Sequence, residues 1–91
     1  MKPILHIIKK HDDKQAIEII GNQARDNAYG VAVVFIQDAV SSPPVSDART
    51  CALAQDAKTL DNSNKVNPDV ELISYDDLLK LIFSVESITV W

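Results

Sequence analysis

The sequence predicts an α/β fold on a parallel sheet, and three observations carry that prediction. First, Val31–Ile36 (VAVVFI) is an unbroken apolar run rich in β-branched residues. A strand with one wet face alternates, so a run that does not alternate is covered on both faces, as the inner strands of parallel sheets are. Second, an apolar segment, a helical repeat and this run follow one another. That is a strand–helix–strand unit, whose strands are parallel with a right-handed crossover. Third, short apolar segments recur later in the chain between polar or helical connections, the alternation that builds α/β sheets.

Taken in order, Pro3–Ile8 (PILHII) reads as the first strand, ending in the polar Lys9-Lys10-His11. Asp12 with Gln15 has the spacing of a capping box and opens a helix from Asp13 to about Asn27. Ile17, Ile20 and Ala24 form its apolar stripe, widened by Ala16, Ile19 and Ala28. Tyr29-Gly30 closes the helix and feeds the central strand, which runs into Gln37 and Asp38. Ser41–Ala48 (SSPPVSDA) is a loop by its prolines and serines, too short for a covering helix. Thr50–Ala54 is a third strand, followed by Gln55-Asp56 and one helical turn to Leu60. Asp61–Asp69 is a polar loop and Val70–Ser74 a fourth strand. Ser74 and Asp77 cap a helix through about Ser84 whose centre, LLKLIF, has only Lys80 polar. Glu86–Trp91 is a last strand, with Ile88 and Val90 on one face and Thr89 and Trp91 on the other.

The totals narrow the class. Ninety-one residues form a single domain, 1–91, near the lower limit of an adequate core, and 46% hydrophobic content argues against disorder. A net charge of −4 argues against a nucleic-acid or anionic-membrane footprint. No apolar run approaches a membrane span, the N-terminal segment is too short for a signal peptide, and one cysteine excludes an internal disulfide, so cytoplasm is the expected compartment. The two glycines leave no phosphate-cradling loop.

Ligands of open α/β sheets bind beyond the carboxyl ends of the strands. That edge receives Lys9, Lys10 and His11, then Gln37 and Asp38, Gln55 and Asp56, and Tyr75 with Asp76. The binding candidates are therefore His11, Gln37, Asp38, Gln55, Asp56 and Tyr75. Polar strand ends and helix-capping aspartates are equally the ordinary finish of a parallel strand, and no spacing among them dictates one reaction. His6, mid-strand, reads as a core histidine bonded to backbone, since no third ligand is spaced to share a metal with it and His11. Cys51, inside a strand, reads as a buried small hydrophobe with a raised pKa, and only weakly as a nucleophile.

Several segments in this order resemble the DsrH/TusB-type proteins of the DsrE/F/H-like sulfur-relay group. They are LHII (Leu5–Ile8), FIQDAV (Phe35–Val40), CALAQD (Cys51–Asp56) and ELISYDDLLKLIF (Glu71–Phe83), with Trp91 after ITV. The resemblance implies a three-layer α/β/α fold on a five-stranded, mostly parallel sheet of order 4-3-2-1-5. It also implies a cytosolic subunit of a sulfur-transfer assembly with DsrE/TusD-like and DsrF/TusC-like partners, serving tRNA 2-thiouridine synthesis or sulfur oxidation, and no cofactor. In that group the persulfide-carrying cysteine belongs mainly to the DsrE/TusD-like partner. This chain departs from the pattern at Ala39, where a glycine is usual, and in lacking an Arg-Gly after Asp56.

With that strand order, right-handed crossovers place three connections on one face and only the last helix on the other. One helix cannot cover five strands, and exposed apolar area marks an interface. The expected interface is Leu78, Leu79, Leu81, Ile82, Phe83 and Trp91, formed with partner subunits or with further copies of the chain. Three functions follow: a non-catalytic partner-binding subunit of a sulfur relay, a stand-alone homo-oligomeric small-ligand or regulatory module, or a sulfurtransferase using a Cys51 persulfide.

Overall fold

The computed structural model describes residues 2–26, 29–58 and 66–91. Five strands form one sheet: β1 (Lys2–Ile8), β2 (Tyr29–Phe35), β3 (Arg49–Leu53), β4 (Glu71–Ile73) and β5 (Ser87–Val90). Every neighbouring pair is parallel and the order is β4-β3-β2-β1-β5. The apolar run is the middle strand, as its lack of alternation requires. Val33, Val34 and Phe35 are sealed from solvent although successive side chains point to opposite faces.

Among the described residues three helices connect the strands: α1 (Lys14–Ala24), α2 (Ala54–Ala57) and α3 (Tyr75–Ser84). A 3-10 helix spans Gln37–Ser41. Helix α1 packs Ala16 and Ile20 on one face of the sheet, against Ile8, Val31, Val33, Phe35 and Ala52. Helix α3 packs Leu78, with Leu81 and Ile82, on the other face, against Leu5, Val34, Cys51, Leu53 and Ile73. The result is three layers with a core on either side of the sheet.

Several boundaries shift for local reasons. The cap of α1 is Asp13, whose Oδ1 accepts from the Ala16 amide at 3.2 Å, and not Asp12. Asp12 is instead held in the left-handed region (φ 50) while its own amide donates to Ser42 Oγ. Tyr29 and Gly30 belong to β2 rather than to a helix end. The third strand ends at Leu53, and Ala54 already belongs to α2. Ser74 caps α3 as the spacing predicts, with Asp77 completing a reciprocal capping box. Asn27, Ala28, Leu60 and the 61–65 part of the polar loop lie outside the described residues.

The Ser41–Ala48 connection covers the sheet better than its composition suggests. Ser42 and Val45 are buried, and Val45 joins Ala39 and Val40 of the preceding 3-10 helix in the core on the α1 face. Buried hydroxyls make this possible, because each polar group brought inside needs a partner. Thr50 Oγ1 accepts from the Val45 amide at 3.0 Å, and Ser42 Oγ accepts from the Asp12 amide at 3.0 Å.

Candidate functional site

The carboxyl ends of the strands meet as expected, and two side-chain links stitch them. Ser41 Oγ lies 3.0 Å from His11 Nδ1, joining the end of β1 to the 3-10 helix after β2. The Gln37 amide donates to Asp56 Oδ2 at 2.8 Å, joining the end of β2 to α2 after β3. A backbone bond from the Ile36 amide to the Ile8 carbonyl lies between them. Gln37 has φ 51, a left-handed conformation that costs a side-chain-bearing residue and persists only where the surroundings hold it. Asp12 shares that conformation on the neighbouring strand end.

His11, Gln37 and Asp56 are thus drawn into one edge, together with Ser41. Asp38, Gln55 and Tyr75 are exposed, just beyond the carboxyl ends of β2, β3 and β4. Ser41 carries no signal in the sequence, where it is one serine in a Ser-Pro loop. The bonds at this edge are made to the chain itself, which is the structural finish of a parallel strand end. A Ser–His hydrogen bond alone lacks the oriented third group and the oxyanion donors that acyl transfer requires.

Cys51 has no exposed surface and lies beneath α3. Burial pushes its thiol up, the nearby positive charge of Arg49 opposes that shift, and Glu71 adds to it. A thiol kept protonated and dry is a poor nucleophile. Above it, Arg49 pairs with Glu71 at 3.1 Å, and this bond holds the guanidinium above its ordinary value. The pair forms one wall of an open groove of about 360 Å³, whose other wall is Asp77, Lys80 and Ser84 of α3.

His6 departs from the expected backbone-bonded histidine. Its Nδ1 accepts from Trp91 Nε1–H at 3.1 Å and its Nε2 lies 2.6 Å from Gln23 Oε1. Indole nitrogen only donates, so the tautomer that satisfies both contacts carries its proton on Nε2. The two rings stack with centroids 6.1 Å apart. Trp91 is therefore fastened to the α1 face, and its amide also donates to the Ile7 carbonyl at 2.8 Å.

The expected interface residues accordingly divide. Leu78 is core, Leu81 and Ile82 are packed against the α3-side core, and Trp91 sits on the far face with His6. Leu79 and Phe83 are exposed, Phe83 at 85%. The prediction that α3 is apolar all round and buries its outer surface in a contact is corrected to this extent: one side of the helix builds the chain's own core. Tyr75, Leu79 and Phe83, spaced by four, form a stripe along the remaining side. Asp77, Lys80 and Leu81 line the groove toward β3 and β4, so the helical period turns the stripe toward β5. There Ile88 and Val90, on the α3 side of the sheet, are 42% and 58% exposed. Sequence reasoning missed these two, although their alternation with Thr89 was visible.

No protein-family model matches the chain, and no curated protein matches it in sequence. In structure it is similar to the ychN protein from E. coli, with a TM-score of 0.68 over 100% of both chains at 11% identity. The likeness is one of fold: a five-stranded parallel sheet in the order 4-3-2-1-5 with its helices.

Proposed function

We propose that this chain is a non-catalytic, partner-binding subunit of a cytosolic sulfur-relay assembly. The observation that carries the subunit reading is the band of Tyr75, Leu79, Phe83, Ile88 and Val90, exposed while the sole cysteine is sealed. Exposed apolar surface of this extent marks an interface in a chain that stays soluble. The sulfur-relay part rests on the ordered sequence segments and is compatible with the shared fold. On this reading the persulfide travels on a DsrE/TusD-like partner, and this chain shapes or stabilises the complex.

The test is affinity purification from native cells after labelling with radioactive sulfur. The expected result is a DsrE/TusD-like or DsrF/TusC-like subunit in the eluate, with the reducible label on that subunit and unchanged by Cys51→Ser. A label carried by Cys51 itself overturns the non-catalytic assignment. An eluate without any sulfur-carrying subunit overturns the relay assignment.

A second reading, a small-ligand or regulatory module, is favoured by the paired left-handed residues Asp12 and Gln37 at adjacent strand ends. Its signature is a ligand-induced rise in melting temperature that Asp38→Ala abolishes.

A further inference from the structure

We propose that the exposed band receives a second copy of this chain, with α3 packed antiparallel against α3 of its mate about a two-fold axis beside Leu79. This rests on the reading above that the band is a docking surface, and it names the occupant. An isologous contact requires a patch complementary to itself. The stripe meets that condition: with the axis at Leu79, Tyr75 of each copy lies opposite Phe83 of the other, and the two Leu79 side chains meet at the centre. An aromatic pair at either end supplies contact area in the geometry that aromatic pairs favour.

The charges at the rim point to the same pairing. Asp76 and Lys80 lie on one side of the stripe, four residues apart, and among the described residues neither has an ion-pair partner. A two-fold that reverses the helix direction sets Asp76 of each copy beside Lys80 of the other, twice over. Packing the helices in parallel instead sets the Asp76 and Lys80 of the two copies on opposite sides of the contact, where neither charge meets its complement.

The area also fits a second copy. The five exposed side chains offer on the order of 500 Å² per chain. Two copies therefore bury about 1,000 Å², the lower limit for a specific contact, which predicts a reversible dimer with a dissociation constant in the micromolar range. Beside the helix, the uncharged edge of β5 (Ser87–Val90) carries Ile88 and Val90 into the same patch, with no lysine or proline to repel a mate.

The experiment uses the full chain in native mass spectrometry and sedimentation from one to about a hundred micromolar. A monomer–dimer equilibrium is expected. Phe83→Glu abolishes it with unchanged circular dichroism, since that side chain is exposed. Asp76→Lys and Lys80→Asp each weaken self-association, because each makes the rim like-charged. Mixed in equal amounts, the two variants form heterodimers about tenfold or more in excess over either homodimer, through restored opposite-charge pairs. A wild-type chain that stays monomeric throughout overturns the proposal, as does a dimer that survives Phe83→Glu or a mixture without heterodimer enrichment. A wild-type monomer whose Phe83 becomes protected on adding a purified sulfur-carrying subunit overturns the second copy while leaving the docking surface in place.

Discussion

The two faces of the sheet are built from the same strands and finished differently. On the α1 side, the helix, the 3-10 segment with Val40 and Val45, and Val66 with Val70 together roof the strands. On the α3 side one ten-residue helix does the work, and the sheet under β5 is left open at Ile88 and Val90. The cause is topological. Running 4-3-2-1-5 with right-handed crossovers sends three connections to one face and one to the other. The well-roofed face can carry a buried histidine, His6, held by the half-buried Gln23 and Trp91, because enough surrounding structure exists to satisfy it. The thinly roofed face holds the sealed cysteine at its centre and the exposed apolar stripe at its flank, and there stability and association are drawn from one helix.

Neighbouring residues of α3 give the sharpest test of that contrast. Leu78→Ala, beneath the helix, is expected to lower stability by about 2–4 kcal/mol in chemical denaturation, from lost burial and the cavity left behind. Leu79→Ala, one residue on, is expected to cost less than about 0.5 kcal/mol in the monomer. Equal costs would mean that α3 is buried on both sides.

On the other face, Trp91→Ala removes a ring and its hydrogen bond to His6 while keeping the backbone bond to Ile7, and about 2 kcal/mol is expected. Trp91 is the only tryptophan. His6→Phe, which keeps the ring volume but deletes the acceptor, should therefore shift its emission to the red as the indole N–H seeks water. An unshifted spectrum would show that the bond does not hold Trp91 in place.

The thiol tests the seal on the α3 side. Burial raises the Cys51 pKa, so the folded chain keeps a proton that the unfolded chain gives up. Stability from this group is complete below the ordinary thiol value and is lost as pH rises through the raised folded value. Urea midpoints should therefore decline more steeply at alkaline pH in wild type than in Cys51→Ala. Alkylation of the native chain should wait on opening; rapid native alkylation at neutral pH would break the seal argument. The smallest effect is expected at Arg49–Glu71. Both side chains are half exposed, so Glu71→Gln should change stability by under about 1 kcal/mol, and less in high salt.

Much of this was legible before any coordinates. Unalternating apolar residues mark a strand with no wet face, and Ser74 three before Asp77 marks a helix start, because both signals depend on near neighbours alone. Asp12 and Asp13 show where such signals fail. Either aspartate could cap α1, and the choice fell to Asp13 because Asp12 is drawn aside by Ser42, thirty residues away. Val45 failed similarly: a Ser-Pro loop reads as solvated, and only the sheet below gives its valine somewhere to go. At the candidate site the sequence named His11, Gln37 and Asp56 by position at strand ends, yet could not say that Ser41 and the Gln37 amide would occupy two of them.

Sequence by itself determined a parallel sheet with its central strand, the helices between, and a final helix richer in apolar residues than one face can use. Tertiary structure decided which of those residues became core and which remained in water, and it joined His6 to Trp91 across the chain. Periodicity is a property of neighbours along the chain. Burial depends on what the topology brings above each face, and here it brought three connections to one and a single helix to the other.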